Sequence, residues 1–282
     1  MRKMTAIFAT AALVATLGAC GKTAETPAPA PETAPETTAE TEAPAATETA
    51  AEETAEAPAD TAEVSADGVM SYADFVAAPV DSKVTIETYI QDKQGWWENE
   101  GVGMATFYTQ DNDGGYFLYN MPCSKDDYDV MGGGTKIRVT GYKAEWSGEI
   151  EITDIESYEI IYDDMFVANA EDLTDIIGDD DALAAKMNKY VAFNGLKVAD
   201  RDGNAFTYGW DGSKSQGDDI YFNLEDADGK VHTFVVESYL RGADTDTYKA
   251  VEALKVGDTV DVEGFLYWYE GPQVHVTYVT VK

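Results

Sequence analysis

Cysteine and histidine are scarce in this chain, with two of each among 282 residues. Cys20 lies in the N-terminal segment, which leaves Cys123 without a partner for an intramolecular disulfide. Stability must therefore come from hydrophobic cores, and Cys123 is expected to be a small buried hydrophobe, with a reactive thiol as the alternative. His232 and His275 have no third metal ligand at a recognised spacing, so the sequence predicts no metal site on them.

Signatures of catalysis are also lacking. The chain has no GxSxG, HExxH, phosphate-binding loop or dinucleotide-binding fingerprint. We therefore predict a protein that is not an enzyme and that has no cofactor. Carboxylates are numerous and none is singled out by its spacing, so a hydrolase that uses a pair of them stays open as an alternative.

Basic residues are few: 19 Lys and Arg stand against 53 Asp and Glu, which gives a formal net charge of −34. From residue 68 onward the count is 41 acidic against 16 basic side chains, a net charge of −25. A field of this sign repels phosphate backbones, which need clustered Lys or Arg to release counterions. The charge balance predicts that nucleic acid is not a partner.

The apolar stretch Ala6–Leu17 is too short to be a reliable membrane span. Arg2 and Lys3 precede it, and it ends in LGAC at residues 17–20. This order is similar to a bacterial lipoprotein signal, which implies a signal peptide over residues 1–20 and a lipid on the sulfur of Cys20. The predicted location is the extracytoplasmic face of the cell membrane, with a lipid anchor. An ordinary secretory signal is the alternative.

Residues 21–67 are almost entirely Ala, Thr, Glu and Pro and include no aromatic residue. Such a stretch cannot bury enough apolar surface to offset its ordering entropy, so we predict a disordered linker. Its charge and proline keep it extended.

A twelve-residue phrase occurs twice, as GTKIRVTGYKAE from Gly134 and as GDTVDVEGFLYW from Gly257. In both copies a turn glycine precedes an alternating strand that contains a second glycine, Gly141 or Gly264. Glycine inside a strand marks a bend or a bulge. An aromatic turn and a second alternating strand follow each copy, which is typical of the last hairpin of a small closed barrel.

The remaining elements repeat in the same order. Each unit has a first strand, then a hairpin around DNDG at 111–114 or DADG at 226–229, then a short helix at 124–131 or 245–254, and then the repeated phrase. Further helices are predicted at 71–78 and, interrupted near Gly178, at 169–188.

Five strands with a helix between the third and fourth resemble the OB-fold, and the chain is similar to bacterial surface lipoproteins with tandem OB-fold-like domains. The resemblance implies a mainly β protein with two five-stranded barrels in tandem, each with short helices, at residues 68–162 and 163–282. An SH3-like barrel lacks a helix at that position and is the alternative.

All five tryptophans fall in or beside the two loops that wall the binding surface of an OB-fold. The predicted ligand-binding residues are these tryptophans and two neighbouring tyrosines: Trp96, Trp97, Trp146, Tyr208, Trp210, Trp268 and Tyr269. They would stack on a ring-shaped ligand. Alternatively, they plug the barrel ends or pack one domain on the other.

The predicted function is non-catalytic binding of a neutral glycan or a peptide at the cell surface. A structural module that binds another exported protein is the alternative partner hypothesis. The DRDGN sequence also places Asp200, Asp202 and Asn204 at a ligand-like spacing for calcium, but these residues are ordinary turn formers, and we predict no metal there.

Overall fold

Residues 68–282 form two β-sheets of six and seven strands, in a computed structural model that describes this range. The helices are α1 (Tyr72–Ala77), α2 (Lys125–Val130), α3 (Asp180–Ala184) and α4 (Asp246–Glu252), with a 3-10 helix at Thr174–Ile176. The strands of the first sheet are β1 (Lys83–Lys93), β2 (Trp97–Asn99), β3 (Val102–Gln110), β4 (Gly115–Pro122), β5 (Thr135–Trp146) and β6 (Glu149–Met165). Those of the second are β7 (Glu171–Asp172), β8 (Tyr190–Ala199), β9 (Phe206–Tyr208), β10 (Ile220–Glu225), β11 (Val231–Val236), β12 (Thr259–Trp268) and β13 (Pro272–Val281).

Both sheets close into barrels of the same topology. The first runs β1-β5-β6-β4-β3 and closes through β1 and β3, with β4 parallel to β6. The second runs β8-β12-β13-β11-β10 and closes through β8 and β10, with β11 parallel to β13. A helix, α2 or α4, stands between the third and fourth barrel strands. The predicted fold class, two OB-fold barrels, is confirmed, and the SH3-like alternative is wrong.

The glycine of the repeated phrase sits at a bulge in both barrels. Register shifts occur at Gly141 in β5 and at Gly264 in β12. A Cβ on Gly264 would lie 2.3 Å from the carbonyl oxygen of His275, and one on Gly141 would lie 2.8 Å from that of Thr153. Glycine is needed at both bulges because the neighbouring backbone approaches too closely for a side chain.

The segment 169–188 differs from the predicted interrupted helix. It contains the short strand β7, the 3-10 helix and α3. Asp179 caps α3 by accepting a hydrogen bond from the amide of Ala182 at 3.0 Å, so the second helical turn has its own start. The short helices α1, α2 and α4 begin after Ser71, Ser124 and Thr245, whose hydroxyls accept backbone amides.

The two barrels pack against each other through an aromatic cluster that we call the inter-barrel contact. Its buried residues are Tyr108, Phe117, Leu240, Phe265 and Tyr267. The Tyr108 ring stacks on Phe265 with 4.6 Å between centroids. Tyr108 and Phe117 alternate with core residues of β3 and β4, so they belong to the outer face of these strands. This is the face on which OB-folds bind ligands, and in the first barrel the second barrel covers it.

Polar contacts fix the barrels at close range. The amide of Tyr190 donates to Oε1 of Gln110 at 2.7 Å, and Nδ2 of Asn188 donates to the carbonyl of Ile150 at 2.9 Å. A Cβ on Gly115 would lie 2.2 Å from the backbone of Asn188, so backbone meets backbone there. The mutual orientation of the barrels is therefore tightly specified.

Within residues 68–282 no helix has both the length and the apolar character needed to cross a membrane. The predicted signal peptide at 1–20 and linker at 21–67 lie outside the described residues.

Truncating a ring of the inter-barrel contact tests its energetic weight. We expect Phe265→Ala to lower the free energy of unfolding by about 3–4 kcal/mol, because a fully buried ring is replaced by a cavity. Urea unfolding followed by tryptophan fluorescence measures the loss. Tyr278→Ala on β13 is the control: Tyr278 is 55% exposed, whereas Phe265 is 2% exposed. Equal losses in the two variants would contradict an energetically important contact.

Candidate functional site

The first-barrel tryptophans Trp96 and Trp97 are both half-buried. The indole of Trp96 packs on the first core, and its Nε1 donates to the carbonyl of Cys123 at 3.1 Å. It also covers Gly103, where a Cβ would lie 2.2 Å from the ring. Trp97 begins β2 and pairs with Met104. Trp96 therefore fastens the loop after β1 to the barrel.

The turns after the fourth strands of the two barrels meet. Trp146 lies 5.2 Å from Tyr269 between ring centroids, and the amide of Glu270 donates to the carbonyl of Ser147 at 2.8 Å. The indole of Trp268 lies over Gly148, where a Cβ would come within 2.7 Å of it. Trp268 thus packs one barrel on the other, whereas Trp146 and Tyr269 are 40% and 44% exposed.

The other two predicted residues lie between β8 and β10 of the second barrel, Tyr208 at the end of β9 and Trp210 just after it. Tyr208 is half-buried beside α4, and its hydroxyl donates to Glu252 at 2.6 Å. Trp210 is 61% exposed and meets Tyr221 edge to face at 5.4 Å. The structure therefore divides the predicted set between barrel contacts and an exposed surface.

Arg201 organises that surface. It is 9% exposed, and its guanidinium donates to Oγ1 of Thr207 at 2.9 Å, to Oδ1 of Asn223 at 3.1 Å and to the carbonyl of Trp210 at 2.6 Å. It also lies over the rings of Trp210 and Tyr221, 4.9 and 5.7 Å from their centroids. One side chain thus holds the loop, the strand β10 and two rings in one arrangement.

These groups share the outer face of the second barrel. Tyr221 and Asn223 alternate along β10 with the core residues Ile220, Phe222 and Leu224, so both point outward. We call the surface formed by Arg201, Trp210, Tyr221, Asn223 and Tyr269 the Arg201 face. It corresponds to the face that the first barrel buries, and here the Trp210 and Tyr269 rings are exposed while Tyr221 is half-buried.

Burial shapes the electrostatics of the Arg201 face. It lowers the pKa of Arg201 and, together with the Asp219 and Glu237 carboxyl groups, raises the pKa of Tyr221 to about 12. Asp219 is held by the amide and the hydroxyl of Ser238, at 2.8 and 2.7 Å. The face therefore combines one cation, flat rings and nearby acids, an arrangement suited to stacking and hydrogen bonding.

Arg201 and Tyr221 were missed from the sequence. Tyr221 follows the alternation of β10, which alone places it outward. No comparable signal exists for Arg201, since the turn-forming residues around it resemble an ordinary loop.

The remaining candidates take structural roles. Oδ1 of Asp200 accepts the amide of Gly203 at 3.1 Å, as expected of a turn. His275 is buried, its Nδ1 lies 2.7 Å from the Tyr108 hydroxyl, and burial lowers its pKa to about 3. Cys123 is buried, and burial raises its pKa to about 11, so its thiol is protonated at neutral pH. Among residues 68–282, no group of three or more His, Cys, Asp or Glu could hold a metal ion.

No protein-family model and no curated protein sequence matches the chain. Similar solved structures include the tetrameric p202 HIN2, with 10% identity, a TM-score of 0.31, and coverage of 72% of this chain and 96% of that one. Another is a replication protein A heterotrimer bound to single-stranded DNA, with 11% identity, a TM-score of 0.32, and coverage of 73% and 50%. The single-stranded DNA binding protein from Thermus aquaticus shows 12% identity, a TM-score of 0.23, and coverage of 72% and 94%.

Two predictions about ligands are corrected by this comparison. The predicted neutral glycan or peptide ligand is contradicted, since the similar solved structures include complexes with single-stranded and double-stranded DNA. The exclusion of nucleic acid as a partner is contradicted for the same reason. Net charge sums the whole surface, so it does not by itself exclude a ligand that contacts a single face.

Arg201→Met tests whether Arg201 builds the face. The variant keeps an apolar stem but removes the donor to the Trp210 carbonyl and leaves Oδ1 of Asn223 with the Thr233 hydroxyl alone. We expect a loss of about 2–3 kcal/mol in the free energy of unfolding and a Trp210 side chain with lower fluorescence anisotropy. Arg138→Met, which removes a half-exposed ion pair with Glu87, should cost at most about 1 kcal/mol. A loss in Arg201→Met no larger than in this control would contradict the role given to Arg201.

Proposed function

We propose that the folded part binds a nucleobase ring, free or in a short single strand, on the Arg201 face, and that it does so without catalysis. The observation that carries the proposal is the Trp210 side chain, which is 61% exposed and yet held in place by Arg201. A fixed, solvent-facing indole loses little conformational entropy when a flat ring stacks on it.

The position of the face supports this ligand class. OB-folds bind oligonucleotides and oligosaccharides on the second and third strands and the adjoining loops, and Tyr221 and Asn223 lie on the second strand. Base stacking on aromatic side chains is worth about 1–3 kcal/mol per base and tolerates any sequence. The guanidinium of Arg201 has five N–H donors and uses three of them in internal hydrogen bonds, which leaves donors beside the rings.

The charge of the protein restricts the form of the ligand. The folded part has a net charge of −25, and Asp219 and Glu237 lie near Tyr221. Each phosphate added to a ligand therefore increases repulsion, which only Arg201 offsets locally. The ring supplies the affinity, and a long phosphate chain weakens binding.

Calorimetric titration with adenosine and with a short oligodeoxyadenylate tests the proposal. We expect saturable binding that weakens about tenfold or more in Trp210→Ala, because a stacking surface is removed. Trp97→Ala is the matched control and should leave the dissociation constant unchanged. Binding of the oligonucleotide should not weaken as salt rises, in contrast to proteins that bind phosphates through basic residues.

The two titrations also distinguish the source of the ring. Tighter binding of adenosine identifies a free nucleoside, and tighter binding of the oligonucleotide identifies a single strand. Absence of saturable binding by either, or equal weakening in Trp210→Ala and Trp97→Ala, would refute the proposal.

We also propose that the chain is exported and anchored by a lipid on Cys20. The support is the order of Arg2 and Lys3, the apolar stretch Ala6–Leu17 and the LGAC sequence. The linker at 21–67 would then hold the Arg201 face away from the lipid surface.

Labelled palmitate tests the anchor. In a bacterial host we expect the label on the wild-type chain in the membrane fraction and no label on Cys20→Ala. Cys123→Ala is the matched control, since it removes the other cysteine, and it should keep both the label and the membrane fraction. Equal labelling of Cys20→Ala and wild type would contradict the anchor.

A further inference from the structure

Two glutamates at the start of β6 are buried where the barrels meet. Glu149 is fully buried and Glu151 is 8% exposed. They are two residues apart on one strand, so their side chains share a face. An ion pair involving either residue does not occur among residues 68–282.

Only one of the two carboxyl oxygens of Glu149 has a hydrogen-bond partner among residues 68–282, and that partner belongs to the second barrel. Its Oε2 accepts the backbone amide of Trp268 at 2.8 Å. Its Oε1 is buried and has no hydrogen-bond partner within residues 68–282. Burying an ionised carboxylate oxygen without a hydrogen-bond donor costs free energy. A protonated carboxyl group is neutral, so its desolvation costs much less.

The groups that face the pair from other elements supply no positive charge. Tyr119 comes from β4 and Tyr267 from β12, and His275 on β13 stacks on the Tyr267 ring at 4.3 Å between centroids. Tyr267 lies close enough to Glu149, Glu151, Tyr119 and Glu237 for their charges to raise its pKa beyond the effect of burial. The pKa of His275 is lowered to about 3, so this ring is neutral above acidic pH.

The acid equilibria agree with this geometry. Burial and, to a smaller extent, Glu151 raise the pKa of Glu149 to about 8, against the opposing effects of the nearby Asn188 side chain and the Trp268 amide. Burial alone raises the pKa of Glu151 to about 7. Both carboxyl groups thus titrate near neutral pH rather than near 4.5.

We propose that Glu149 and Glu151 form a proton-dependent latch between the barrels, closed when both carboxyl groups are protonated and weakened when they ionise. The protonated carboxyl groups are neutral, so the closed state needs no nearby positive charge, and the neighbouring groups named above supply none. Ionisation places two like charges in the dry contact, and separation of the barrels rehydrates them.

The direction of the pH effect follows from linkage. Because the folded-state pKa values exceed the ordinary value of 4.5, the folded chain binds more protons than the unfolded one between about pH 4.5 and 8. The contribution of the pair is fully present below pH 4.5 and is lost as pH rises through 7 and 8. Each titrating carboxyl group lowers the folding equilibrium constant by about tenfold per pH unit within its window.

Urea unfolding of the full chain between pH 5 and pH 9 tests the latch. We expect wild-type stability to fall from pH 6 to pH 8, and the double variant Glu149→Gln, Glu151→Gln to show a flatter profile. Glu145→Gln, an exposed residue of the same hairpin, is the matched control and should keep the wild-type slope. Glu237→Gln is measured separately, because burial raises the pKa of Glu237 to about 8 as well.

Hydrogen exchange at the Trp268 amide gives a second readout. It is measured on the wild-type protein and so does not depend on whether a variant folds. Its protection, corrected for the intrinsic rate, should decrease from pH 6 to pH 8 more than that of core amides of β8. Wild-type stability that is flat or rising over this range overturns the proposal. So does a double variant with the wild-type slope, or a protection at Trp268 that follows the β8 core at every pH.

Discussion

Burial of the outer face of β3 and β4 against the second barrel is the constraint on which the rest of the structure depends. Stacking of Tyr108 on Phe265, at 4.6 Å, removes from the first barrel the surface that an OB-fold offers to ligands. The same contact brings the turns of both barrels together and encloses Glu149. The two barrels therefore differ in the same surface: the first buries its outer face against the second, and the second leaves its own outer face open to solvent.

Much of the fold was predictable from the sequence. The phrase repeated from Gly134 and Gly257 identified the last hairpins, and its inner glycines at 141 and 264 were expected at bulges, where they lie. Such features depend on local periodicity and on close backbone approach, which the sequence records directly. The structure of 169–188 was harder to predict, because Asp179 starts a new helix within it and β7 pairs in parallel with β8, the next strand of the chain.

The candidate site was predictable only in part. Trp210 and Tyr269 are exposed, but Trp268, next to Tyr269 in the chain, packs on Gly148. Neighbours in sequence thus differ in role, since exposure depends on what the other barrel brings to each position. The role of Arg201 could not be predicted for a related reason. Its partners Thr207, Trp210 and Asn223 come together only in the folded chain, and their sequence spacing matches no known motif.

The meeting of the two turns restricts how this protein can vary. The amide of Glu270 reaches the carbonyl of Ser147, and a Cβ on Gly148 would strike the Trp268 ring. Neither turn can therefore accept an insertion without disturbing the other, and the pair must change together over evolution. The β10–β11 turn is exposed at residues 227–229, and Asp226 at its start bonds within the same hairpin, to His232 and to the amides of Asp228 and Lys230. It is where a label, an affinity tag or a fused domain would be carried with the least disturbance.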